Sequence, residues 1–198
     1  MRTIPRTLSR LGLAVVCMFA PLVVSCASNT ASIETTWVSP QAQPGELRSV
    51  VTMFVSTDGA MRRASEDRMA AALQAKGVRA IPSYAMFGEG TPDRDDAIAK
   101  MRAANIDGVV TMRIVSKGER IQPVSTGFVG YWGMVWTNTE LVPETVVQVE
   151  TNAYSLRTNK MLWAALSKSV DPSNLTKMIT DVTQVVTREL GKEGFLSA

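Results

Sequence analysis

The first 25 residues contain a hydrophobic run that differs from every later one. Leu11 to Ser25 is apolar or small throughout, and the ten residues before it carry three arginines and no acid. A basic start followed by roughly 15 apolar residues is typical of a secretory signal peptide, and it is shorter than the ~20 residues of a membrane-spanning helix. We predict a signal peptide over residues 1–25, with an uncleaved anchor as the weaker alternative.

From residue 33 onward, strand-like and helix-like patterns alternate. Strands are predicted at 33–38, 48–55, 78–82 and 108–115, and helices at 60–76 and 92–105. The loop 56–59 and the pair Thr91-Pro92 supply the N-caps of the two helices. Strands that alternate with helices through short connections predict a largely parallel sheet with right-handed crossovers.

Spacing along the first helix predicts which side chains face the core. Its inward stripe is Met61, Ser65, Met69, Ala72 and Leu73, whereas Arg62, Arg63, Glu66, Asp67 and Lys76 face outward. The second helix places Ala97, Ile98, Met101 and Ala104 on one face. The acids Asp93, Asp95 and Asp96 lie in its first turn, where the helix dipole favours them, and they lack the spacing of a calcium loop.

The pattern changes after residue 116. Residues 117–143 interrupt it, residues 145–156 and 161–170 form an antiparallel hairpin that turns at Asn159, and Asp171-Pro172 caps a last amphipathic helix. The fold class predicted is α/β, a mixed sheet with a β-α-β-α-β core followed by an antiparallel hairpin and a C-terminal amphipathic helix.

Aromatic side chains concentrate in the interrupted stretch. Phe128, Tyr131, Trp132 and Trp136 are spaced among three glycines. The segment either covers the sheet edge or core, or forms an exposed patch that contacts a partner or a lipid surface. These four residues are the predicted interaction surface.

The signal ends in a more specific motif. Val-Val-Ser-Cys, ending at Cys26, resembles the lipobox of bacterial lipoproteins. The resemblance implies cleavage after Ser25 and a lipid on Cys26, which holds a protein stably when it carries two or more acyl chains. It also implies the outer membrane, facing the periplasm, because Ala27 stands where an aspartate would retain the chain in the inner membrane. An ordinary signal peptide with an incidental Cys26 stays the alternative. Residues 26–31 are then a lipidated tether and 32–198 a single domain.

Composition narrows the function classes. Removing the three signal arginines leaves 18 basic and 18 acidic groups, so no basic surface for nucleic acid is expected. Histidine is absent, Cys17 leaves with the signal and Cys26 is consumed by lipid. Without imidazole or thiol, we expect no catalytic residue, no metal and no cofactor. The alternative is a small hydrolase or ligand-binding domain that uses carboxylates such as Asp58 and Glu119 near the strand ends.

Several motifs together resemble a known family. They are SIETTW at 32–37, MRRASED at 61–67, GVRAIPSY at 77–84, TNKMLW at 158–163 and Asp171-Pro172. They are similar to the bacterial lipoprotein family of unknown function 4136, and more distantly to the amino-terminal domain of the Tol system's translocation protein. Ser65 replaces a usual core residue and Asn159 a usual glycine. The resemblance implies a non-enzymatic envelope module, anchored in a membrane, with an envelope protein as partner and no assigned active site.

Overall fold

A computed structural model of the chain describes residues 30–90, 92–129 and 135–196, with side chains at all of these except 124–129 and 135–138. The residues form one six-stranded sheet in the order β1-β6-β5-β4-β2-β3. The elements are β1 (Ala31–Val38), β2 (Ser49–Phe54), α1 (Gly59–Gln74), β3 (Arg79–Pro82), α2 (Ser83–Phe87), α3 (Arg94–Ala103), β4 (Gly108–Val129), β5 (Val135–Ser155), β6 (Lys160–Val170) and α4 (Leu175–Lys192).

The parallel part of the sheet follows the predicted alternation. β2 lies between β3 and β4 and pairs in parallel with both. Its side chains are buried on both faces, which explains why its sequence is nearly continuously apolar. The predicted β-α-β-α-β core is therefore confirmed. The connection between the predicted strand 78–82 and the predicted helix 92–105 contains the short helix α2.

The antiparallel part consists of β5, β6 and β1. The predicted hairpin of β5 and β6 is confirmed, and its turn holds Asn159 at a φ of 54°. β1 pairs with the far side of β6. It begins at Ala31, opposite Ser169, two residues before the start of the predicted strand 33–38.

Helices cover both faces of the sheet. Val50 packs in the core beneath α1 and α4, and its neighbour Val51 packs on the opposite face against α3. This alternation is what a strand buried on both sides requires. The stripe predicted for α4 is buried from Met178 onward, whereas Leu175 at its start stays 42% exposed.

Two predicted helix caps were wrong. The N-cap of α4 is Asn174, whose side chain accepts the Lys177 N–H at 2.8 Å. Asp171 instead pairs with Thr145, accepting its N–H at 2.6 Å and donating to its carbonyl at 2.9 Å, and so extends the β5–β6 pairing. Asp93 caps α3 by accepting two N–H groups of the first turn. The predicted cap Thr91 lies outside the described residues.

One side chain of α1 points the opposite way from its prediction. Glu66 was expected to face solvent, yet it is fully buried. Its carboxylate accepts the Phe54 N–H at 3.1 Å, the Ser83 hydroxyl at 2.7 Å and the Tyr84 N–H at 3.2 Å. Glu66 thus satisfies donors at the end of β2 and the start of α2, while Ser65 is buried as predicted.

Candidate functional site

The strands β4 and β5 extend far beyond their neighbours. β2 pairs with β4 as far as Met112, and β6 pairs with β5 as far as Val146. β4 and β5 remain paired with each other to Val129 and Val135. We call the two-stranded segment 118–129 with 135–146 the arm. A two-stranded ribbon on its own is marginally stable in water, so the arm is a candidate for contact with another surface.

The arm occupies the stretch that was predicted to interrupt the fold. No strand was assigned there from the sequence, because Gly118, Pro123, Gly127 and Pro143 weaken the strand pattern. Each arm residue nevertheless has a direct partner on the other strand. The entropy cost of loop closure is small in a hairpin because the paired residues are close in sequence. Cross-strand pairing can therefore outweigh a poor local strand propensity.

The two faces of the arm differ near its base. On one face, Arg120 forms an ion pair with Glu144 at 2.9 Å, and Gln122 donates to the same carboxylate at 3.3 Å. On the other face, Ile121 and Leu141 are 66% and 70% exposed. Their cross-strand partners are the two arm prolines. This second face is apolar and open to solvent.

Those prolines modify the outer edges of the arm. Pro143 is opposite Ile121 and Pro123 is opposite Leu141, two residues further along. Residue pairs in an antiparallel ladder alternate between hydrogen-bonded and non-hydrogen-bonded, so these two pairs are of the same class. Proline fits such a ladder where its missing N–H would face outward. Each edge of the arm therefore lacks one donor that an added strand would need.

The predicted aromatic surface is only partly within the described residues. Phe128 and Trp136 are direct partners near the far end of the arm, so the structure brings these two positions together. Their side chains, and all of Tyr131 and Trp132, lie outside what the structure describes. The same holds for Cys26. The exposure of the aromatic side chains and the lipid attachment remain predictions.

A cleft of about 890 Å³ opens at the base of the arm. Its apolar lining is Met61, Ile114, Val147, Leu175 and Met178, and its polar lining includes Lys117, Glu119, Asp171 and Asn174. Only one of the two carboxylates proposed for chemistry is here. Asp58 caps α1, accepting the Ala60 and Met61 N–H groups at 2.9 and 3.1 Å, and lines a separate cleft of about 220 Å³. The proposed carboxylate pair is not assembled.

The described ranges show neither a metal-binding cluster nor a membrane-spanning helix. These residues contain no group of three or more His, Cys, Asp or Glu side chains that could hold a metal ion. In residues 30–90, 92–129 and 135–196, no helix has the length and apolar character needed to cross a membrane.

The first described residue is fixed firmly to α4. Asp181 accepts the Thr30 N–H at 3.0 Å and its hydroxyl at 2.8 Å, and it pairs with Lys177 at 2.6 Å. Burial of Asp181 opposes its charged form, but the hydrogen bonds from Lys177 and Thr30 outweigh it and hold the pKa of the carboxyl below its ordinary value. Sequence patterns did not reveal this residue, because it lies between apolar positions of α4.

Replacing Asp181 with alanine should lower the free energy of unfolding by about 2 kcal/mol at neutral pH, since Lys177 and Thr30 lose their acceptor. The folded-state pKa lies below the ordinary 3.8. The advantage of the native chain is therefore present above about pH 5 and lost as pH falls through the folded-state pKa. Urea unfolding at neutral pH and at a pH below the folded-state pKa measures the stability difference between the native chain and the variant. Glu189→Ala, which removes the 2.9 Å pair with Lys192, is the control. An equal difference at both pH values would contradict the assignment.

Comparison with known proteins gives only distant structural similarity. No family model matches the chain, and no curated protein does. Among solved structures, the PelC dodecamer from Paraburkholderia phytofirmans is 15% identical with a TM-score of 0.47, covering 79% of this chain and 95% of that one. Lipoprotein GNA1162 from Neisseria meningitidis is 14% identical with a TM-score of 0.41, covering 73% and 98%. Similarity at this level does not identify the function.

Proposed function

We propose that the chain is a lipoprotein of the bacterial cell envelope, anchored through Cys26, and that it is a binding or structural module without enzymatic activity. The observation that carries the proposal is the arm. It projects beyond the other strands and exposes Ile121 and Leu141 on one face together with two prolines, and contiguous exposed apolar surface of this kind marks interaction sites. The lipobox supplies the anchor.

The location and partner follow from the same features. Ala27 after the lipobox cysteine favours the outer membrane, with the domain facing the periplasm. The described body has buried cores on both sheet faces, so the arm is its most exposed apolar element. We infer that the arm contacts a membrane or envelope protein partner, and that the four aromatic residues Phe128, Tyr131, Trp132 and Trp136 belong to that contact.

Changing Cys26 to serine should release the protein from membranes. Without the thiol no lipid can be attached, and the ~0.8 kcal/mol per buried CH₂ that acyl chains contribute is lost. The measurement is fractionation of cell envelopes, with the intact mass of the purified protein. The control is Ser25→Ala, which keeps a small residue before the cysteine. A native protein without lipid, or with Met1 still present, would contradict the anchor.

Removing the arm should abolish partner capture but leave the body folded. We would join Arg120 to Glu144 through an Asn-Gly turn, because their ion pair already closes the two strands at this level. Neighbouring strands end before this point, so the melting temperature should change by only a few degrees. Crosslinking in cells, compared with the native chain and with Trp132→Ala, measures the capture. Full capture by the armless chain would refute the role of the arm.

A further inference from the structure

The start of the described chain and the arm emerge from the same end of the sheet. The Thr30 carbonyl accepts the Val170 N–H at 3.1 Å, Val170 is opposite Val146, and Val146 is opposite Gly118. Thr30 therefore lies in the same cross-strand row of residues as Val170, Val146 and Gly118, which is the row where the arm begins. β1 runs antiparallel to β6, so from Thr30 the described chain leads away from the arm.

Chain lengths restrict where the anchor can lie. From Thr30 to Cys26 an extended chain spans at most roughly 14 Å. The far end of β1, at Val38, is roughly 27 Å from that row, so the lipid cannot reach a bilayer at the other end of the sheet. The hydrogen bonds of Thr30 to Asp181 fix the point from which this short reach is measured.

The arm is longer than this reach. From Gly118 to Val129, β4 extends roughly 37 Å beyond the row of Thr30. If Cys26 carries a lipid in a bilayer, the bilayer surface passes within roughly 14 Å of Thr30. An arm that starts at the same end of the sheet and is more than twice as long is long enough to lie along that surface or to enter it.

We propose that the arm contacts the lipid surface in which the chain is anchored, with Ile121 and Leu141 at the interface. This inference rests on the proposed lipid anchor. From Ile121 to Thr139 the sequence contains no Asp, Glu, Lys or Arg, while Arg120 and Glu144 pair at the base. Among the described arm residues beyond that pair, the one charge is Glu140, which lies on the face of Arg120 and Glu144 and opposite to Ile121 and Leu141. A charged side chain on the contacting face would oppose entry into the apolar region, and the described face of Ile121 and Leu141 carries none beyond Glu119 at the base.

The edges of the arm favour a lipid surface over an added strand. A peptide or a second copy that extended the ladder would need continuous backbone donors, and Pro123 and Pro143 each remove one. Lipid contact uses side chains and does not require those donors. The exposed Ile121 and Leu141 are available for this contact, being 66% and 70% accessible.

The test uses the full-length lipoprotein in vesicles of phosphatidylethanolamine and phosphatidylglycerol. The mature chain offers no other thiol once Cys26 is lipidated, so a single cysteine at Ile121, Leu141 or Thr158 can carry an environment-sensitive dye. Thr158 is the matched control, since it is exposed and lies in the β5–β6 turn at the opposite end of the sheet. The dye at positions 121 and 141 should shift its emission to shorter wavelength and lose most of its signal to a lipid-attached quencher, whereas the dye at 158 should not.

Three results would overturn the inference in different ways. If Cys26 is lipidated by intact mass but positions 121 and 141 are no more quenched than 158, the arm does not touch lipid, and the proposed envelope function survives with a protein partner. If the intact mass shows no lipid, the proposed function and this inference both fail. Crosslinks from position 121 to a second copy, without quenching, would assign the arm to self-association instead.

Discussion

Replacing Gly108 with alanine should destabilise the fold by about 3 kcal/mol or more. A Cβ at this position would lie 2.4 Å from the Tyr154 carbonyl oxygen and 2.8 Å from a methyl carbon of Leu47. Leu47 could rotate, but Tyr154 contributes backbone that is paired with β4. Because the close contact is with backbone, the strands themselves would have to separate. Urea unfolding followed by circular dichroism measures the loss.

The same strand contains a matched control. A Cβ added at Gly118 would meet no heavy atom within 4 Å, so Gly118→Ala adds a methyl group without a clash. Alanine also costs less conformational entropy than glycine in a strand, and its effect should be neutral or stabilising by a few tenths of a kcal/mol. Equal stability of the two variants would show that β4 and β5 can separate at Gly108 without cost.

The second large effect is expected at Glu66. Glu66→Ala would leave the N–H groups of Phe54 and Tyr84 and the Ser83 hydroxyl without their acceptor. A buried donor left unpaired costs about 1–3 kcal/mol, so the three together should lower the free energy of unfolding by about 3 kcal/mol or more. Equilibrium urea unfolding gives the value.

Two further variants separate hydrogen bonding from the loss of a carboxylate. Glu66→Gln keeps one acceptor oxygen, which can still serve Phe54 and Ser83, so its loss should be smaller than that of alanine. Asp67→Ala removes the neighbouring exposed carboxylate, which accepts the Tyr84 hydroxyl at 2.6 Å, and should cost less than about 1 kcal/mol. If Asp67→Ala lowered the free energy of unfolding as much as Glu66→Ala, the burial of the Glu66 carboxylate would not be the cause of the loss.

The core strands and α4 were predictable because their patterns are local. β2 is apolar throughout, and α4 repeats its apolar residues at helical spacing, so burial dictates both elements. Glu66 was missed for the opposite reason. Its position on α1 reads as solvent-facing, and the donors that hold it come from β2 and α2, which helix periodicity does not reveal. Gly108 likewise depends on a contact with β5, far along the chain.

The candidate site was predictable in position but not in form. Aromatic and glycine content marked the stretch around Phe128 and Trp136, and the structure places these two opposite each other. The sequence did not reveal the arm that carries them, because its proline and glycine residues have low strand propensity. It also did not show that Thr30 and the arm share one end of the sheet, since this follows from the order of strands across β6, β5 and β4.

The two prolines of the arm also affect how readily copies of the chain can aggregate. Exposed segments that are rich in β-branched and aromatic residues and low in charge are prone to stack into amyloid fibrils. Pro123 and Pro143 each interrupt the hydrogen-bonding repeat that such stacking needs, one on each strand. Each edge of the exposed arm is therefore a poor template for adding further copies of the chain.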